Sequence, residues 1–122
     1  MSESTIKDAV LYSAAIVDFG IKPLGIVEDG YRELSDVLVE ALEQAQHGKG
    51  LERHANGKPF WEQPICVITR EEGHGFTIGQ IRKKAEEVKR LSTTEAKIRE
   101  LLSIIVYAAA DIIVLKEEAH GK

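Results

Sequence analysis

The sequence predicts an all-α protein. Four main helices form a single domain over residues 1–122, with a long functional loop between the second and third, and the domain is assembled as a homo-oligomer. Two observations carry the helical assignment. Apolar residues recur at three- and four-residue spacing over four long stretches. Ser or Thr followed three residues later by an acidic or amide side chain precedes three of them, which is how a helix start is satisfied. A third observation carries the assembly: the last helix is apolar on almost every face and must be surrounded.

The first predicted helix covers Ile6 to Phe19, with Thr5 and Asp8 at its start, Ile6, Val10, Ala14 and Val17 as its stripe, and Gly20 as its stop. After the connector Gly20 to Gly25, the second predicted helix covers Val27 to Gln46. Tyr31, Leu34, Leu38, Leu42 and Ala45 make its stripe, and Gly48 ends it. Gly30 weakens its first turn. Residues 47–64, with Gly48, Gly50, Gly57, Pro59 and Pro64, have loop composition; a loop of this length in a compact domain is often functional. The β-branched run Ile65 to Arg70 fits a short strand or a turn of buried helix equally, and Gly73-His74-Gly75 reads as a turn. The third predicted helix starts at Thr77, capped with Gln80, and runs to Leu91 through Ile78, Ile81, Ala85, Val88 and Leu91. The fourth follows Ser92, paired with Glu95, and continues to Glu118. From Leu101 to Leu115 only Ser103 and Asp111 interrupt its apolar character.

Charge is unevenly placed. Residues 1–48 carry a net −6, residues 49–99 a net +4 and residues 100–122 a net −2. A positive centre in an acidic protein points to a local anionic ligand rather than to adhesion along nucleic acid. Basic residues on amphipathic helices also form ordinary solvated faces, and that plainer role competes at every Lys here. The single cysteine, Cys66, allows no internal disulfide and no Cys-based zinc cluster, and its apolar surroundings suit a small buried hydrophobe. With no leader-like start and no apolar run long enough to span a bilayer, the expectation is a cytoplasmic protein without a membrane partner.

The candidate ligand site gathers two motifs. In Arg53-His54-x-x-Gly57-Lys58-Pro59-Phe60-x-x-Gln63-Pro64, Arg53 offers a planar fork and Lys58 a point charge to a phosphate. Phe60 or Trp61 can stack on a base, and Gln63 can read a base edge. In Gly75-Phe76-x-x-Gly79-Gln80-x-x-Lys83-Lys84, the amides at a helix start favour anions. The proposed ligand-binding set is therefore Arg53, His54, Lys58, Phe60, Gln63, Phe76, Gln80, Lys83 and Lys84. It is read as non-catalytic and without a cofactor, binding a nucleotide or other small phosphorylated ligand. Each has a plainer role too, Phe60 and Trp61 as core anchors and Gln80 as a cap. Together the two motifs are similar to small phage and prophage proteins, a likeness that implies no particular activity; sequestering a host signalling nucleotide would be a natural use in that setting.

An acidic constellation gives an alternative. Glu33 and Asp36 lie three apart on one helix face, and Glu100 opens the last helix. With Phe19-Gly20-Ile21, this arrangement resembles the all-α nucleotide pyrophosphohydrolases of the MazG type. The resemblance implies two acidic pairs holding Mg²⁺ beside a nucleoside triphosphate, with Glu33, Asp36 and Glu100 as ligands. Ser103 stands where that pattern has Asp. A third reading is a protein-binding inhibitor module using the last helix as its contact surface.

Overall fold

The structure is a computed structural model that describes residues 27–48 and 57–121. The described residues form four α-helices and one 3-10 turn, with no strand. Helix α1 is Arg32–His47, the 3-10 turn Phe60–Glu62, α2 Pro64–Glu72, α3 His74–Val88 and α4 Thr94–Ala119. The predicted helix over 6–19 lies outside the described residues. The fourth helix in the structure is instead the short α2, from the run that sequence left open between strand and helix. No helix among the described residues is long and apolar enough to cross a membrane. The chain divides into two compact units, Met1–Glu43 and Gln44–Lys122.

In the first unit, α1 starts at Arg32, five residues later than predicted. Residues 28–31 form a turn closed by Tyr31 N–H donating to the Glu28 carbonyl at 3.1 Å. Gly30 sits there at φ +88°, a conformation glycine adopts without steric cost. The predicted stripe does not describe the buried face. Ser35, Val39 and Ala41 are buried, whereas Tyr31, Leu34 and Leu38 are exposed. The helix is apolar on two sides, so periodicity alone could not decide which is covered.

The second unit is built on α4. Pro64 occupies the first turn of α2, where its missing N–H costs nothing. The helix ends at Gly73, whose φ of +97° with ψ 173° is a region open essentially to glycine alone. Gly73 both stops α2, donating its N–H to the Thr69 carbonyl at 2.9 Å, and starts α3, accepting from Phe76 N–H at 3.2 Å. The predicted turn Gly73-His74-Gly75 thus contracts to one residue, and α3 begins at His74. Thr77 is not the helix cap expected of it. It lies fully buried inside α3, its hydroxyl 2.8 Å from that of Thr69.

The start of α4 is one residue later than predicted. Thr93 caps it, its hydroxyl accepting from Ala96 N–H at 3.1 Å. Helix α3 runs antiparallel to α4: His74 meets Asp111 and Glu118, Phe76 meets Tyr107 edge-on at 6.4 Å, and Lys84 meets Glu100. Helix α2 lies against the C-terminal half of α4. Cys66, Ala110 and Val114 form a fully buried cluster, with Phe60 and Ile65 packed on it. Burying Val114 completely contributes roughly 1.5–3 kcal/mol.

Candidate functional site

The 3-10 turn follows from local sequence. Pro59 takes an extended conformation before it, and Glu62 and Gln63 donate their N–H groups to the carbonyls of Pro59 and Phe60. Gln63 is not free to read a base edge. Its side-chain amide donates to the Lys58 carbonyl at 3.0 Å and closes the turn. Phe60 points into the Cys66–Ala110–Val114 cluster, which leaves Trp61, 57% exposed, as the aromatic residue at the surface.

Beside this turn lies an open groove of about 450 Å³, lined by Lys58, Trp61, Glu62, Val67, Arg70 and Glu117. Arg70 makes a two-pronged pair with Glu117 across α2 and α4: Nε donates to Oε1 at 2.7 Å and Nη2 to Oε2 at 2.9 Å. The hydrogen bond to Glu117 holds the guanidinium firmly protonated, its pKa raised. The remaining guanidinium N–H donors are not used by this pair. Lys58 is exposed at the groove edge. The charged lining is balanced, Lys58 and Arg70 against Glu62 and Glu117. Burial pushes the Cys66 thiol up, with Arg70 opposing, and the side chain packs fully buried against Ala110 and Val114.

The second predicted motif runs along α3. Lys84 Nζ is 3.4 Å from Glu100 and sits 5.5 Å from the centre of the Tyr107 ring, on which Phe76 also packs. Gln80 is half-buried on α3, and Lys83 is exposed, 4.0 Å from Glu87 one turn on. Glu100 and Glu117 are 17 residues apart on one continuous helix, about 25 Å at 1.5 Å per residue. Lys84 is therefore at one end of α4 and the Lys58 groove at the other. Lys84, at the end of the second motif, is thus not brought to the groove within a chain, whereas the start of that motif follows His74, which meets Glu118 beside the groove residue Glu117. Arg53 and His54 lie outside the described residues.

The acidic alternative also meets particular contacts. Glu100 carries Lys84, and Ser103 accepts a hydrogen bond from the Gln44 side-chain amide at 3.1 Å. That amide also donates to the Arg99 carbonyl at 3.1 Å. Glu33 is exposed on α1 and Asp36 half-buried there. Among the described residues no group of three or more His, Cys, Asp or Glu side chains could hold a metal ion.

Sequence reasoning missed two long-range features. Arg70 and Glu117 in the groove are 47 positions apart, with no spacing signal between them. His74 is the other. Its Nδ1 faces Asp111, and its Nε2 lies 3.0 Å from Glu118. A ring with a carboxylate on each nitrogen is held as the imidazolium, and the bonds to Asp111 first and Glu118 second raise its pKa. The clamp ties the start of α3 to the end of α4. No family model matches the chain, and no curated protein or solved structure matches it either.

Proposed function

We propose that the chain is a non-catalytic binding protein for a nucleotide or other small phosphorylated ligand, acting as a homo-oligomer through α4, and that the ligand occupies the groove beside the 3-10 turn. The observation that carries this is the exposed Trp61 indole lining the same groove as Lys58 and Arg70. An aromatic face takes a base by stacking, and the cations take a phosphate. The volume suits a small molecule, since ligand clefts run from roughly 300 to 1,000 Å³. Arg53, five residues before Lys58, supplies a further phosphate fork. Because Glu62 and Glu117 balance the groove's cations, the ligand carries low charge. A nucleoside monophosphate or a cyclic nucleotide fits better than a triphosphate.

Trp61 is the sole tryptophan, so its fluorescence reports on this groove alone. Titration with nucleoside mono-, di- and triphosphates and with cyclic dinucleotides is expected to quench it for at least one class, monophosphates or cyclic forms binding better. A charge-assisted phosphate contact contributes roughly 1.5–3 kcal/mol, so Lys58→Ala or Arg53→Ala weakens binding about ten- to a hundredfold. Added salt weakens it as well. If no member of the panel binds, as checked by calorimetry, the proposal fails. Turnover of a triphosphate with Mg²⁺ that disappears in Glu33→Ala would favour the pyrophosphohydrolase instead.

A further inference from the structure

Helix α4 carries a second pattern on the side away from α2 and α3. Ile98, Leu101, Ile105, Ala108, Ile112 and Leu115 alternate at three- and four-residue spacing without a break, the a and d positions of a heptad. The side chains that α4 gives to its own unit, among them Ala110, Asp111, Val114 and Tyr107, lie on the other side of the helix. The heptad seam is open: Ile98, Leu101, Ile112 and Leu115 are each 45–51% exposed, and Ile105 and Ala108 are half-buried. An apolar seam of this length marks an interaction surface.

We infer that this seam pairs with the same seam of a second copy in antiparallel orientation, about a two-fold axis passing between residues 106 and 107. The inference deepens the self-association part of the function proposed above and is independent of the ligand groove. Two features of the helix select the orientation. Antiparallel pairing sets Ile98 against the other copy's Leu115, Leu101 against its Ile112, and Ile105 against its Ala108. A large side chain thus meets a small one on both sides of the axis. The flanking charges match in the same register. Glu95 and Lys116, both exposed, fall opposite each other on one flank, and Lys97 and Glu118 on the other. Symmetry repeats both pairs, giving opposite charges at all four corners of the seam. Parallel pairing would stack each seam residue on its own copy, Ala108 on Ala108 at the centre. It would also set Lys97 against Leu102, which is buried.

Disulfide trapping of the full chain tests this, with light scattering on the same samples. The variants are Ile98→Cys, Leu115→Cys and the double Ile98→Cys/Leu115→Cys, with the parent as control because its one cysteine is fully buried. Within one helix, positions 98 and 115 are about 25 Å apart and cannot bridge intramolecularly. The expected result is a 27 kDa-class dimer, twice the 13.5 kDa chain, in which the double variant cross-links under mild oxidation while neither single variant does. Charge reversal is the second reading: Glu95→Lys and Lys116→Glu each weaken dimerisation roughly tenfold, and the double reversal restores it. A dimer in which each single variant cross-links to itself would mean parallel pairing and overturn the inference, while leaving self-association intact. A dimer with no cross-link in any variant would place the interface elsewhere. A monomer at micromolar concentration would remove both the pairing and the self-association reading, and an introduced thiol at 98 shielded from reagent in that monomer would assign the seam to the chain's own remaining residues.

Discussion

The two threonines buried between α2 and α3 make a sharp test of how the second unit is held. The Thr69 hydroxyl is 2.6 Å from the Ile65 carbonyl and 2.8 Å from the Thr77 hydroxyl, and both side chains are fully buried. A hydroxyl has one proton. A carbonyl can only accept, so Thr69 donates to Ile65, and Thr77 must then donate to Thr69. The two replacements by valine are therefore unequal. Thr77→Val removes one donor and leaves Thr69 still bonded to Ile65; it costs about 0.5–1.5 kcal/mol, the net worth of one hydrogen bond. Thr69→Val strands the Thr77 hydroxyl in the core and costs about 1–3 kcal/mol, the penalty for a buried donor without a partner. The double variant strands nothing and is no worse than Thr69→Val alone, so the coupling between the sites is about 1 kcal/mol or more. Guanidinium denaturation followed by circular dichroism and by Trp61 fluorescence measures all three, with an unchanged m-value showing that the native state is the same. At about 4–8 °C per kcal/mol for a domain of this size, melting resolves the difference too. If Thr77→Val costs as much as Thr69→Val, or if the two losses add, the assigned direction of the hydrogen bonds is wrong.

Three further outcomes follow from the described contacts. The raised pKa of His74 means that the clamp to Asp111 and Glu118 contributes its full stability below about pH 6.5, the unfolded value, and loses it as pH rises through the folded value; denaturation midpoints should fall as pH rises above about 6.5 in the parent and show no such fall in His74→Gln. Thr93→Ala removes the cap of α4 and costs about 1 kcal/mol in the same assay, whereas Ser92→Ala is neutral. Lys84→Met removes the ion pair to Glu100 and the cation over Tyr107, costing about 1 kcal/mol, and leaves ligand quenching of Trp61 unchanged because the two ends of α4 are far apart; a loss of binding in this variant would reunite the two motifs in one site.

The all-helical class was legible in the residues, because the apolar periodicity of α3 and α4 is a property of neighbours three and four apart along the chain. Gly73 also announces itself as part of a turn, since a positive φ favours a residue without a side chain, whereas Gly30 was read inside the second helix and lies in the turn before it. The short run 65–70 did not declare itself. A strand and a buried helix turn share its apolar composition, and only the packing of Cys66 against Ala110 and Val114 made it a helix. Thr77 shows the limit in another form. Its type and its spacing to Gln80 fit a cap, yet the partner that fixed its role was Thr69, on another helix. The candidate site divided in the same way. The aromatic and basic residues near Lys58 could be named from sequence, but which aromatic faces outward, and the roughly 25 Å along α4 between Glu100, which holds Lys84, and Glu117, which lines the Lys58 groove, depend on how the helices pack. Local spacing determines what a helix can bury, and the tertiary structure decides what it does bury, because burial depends on residues that the chain brings together from distant positions.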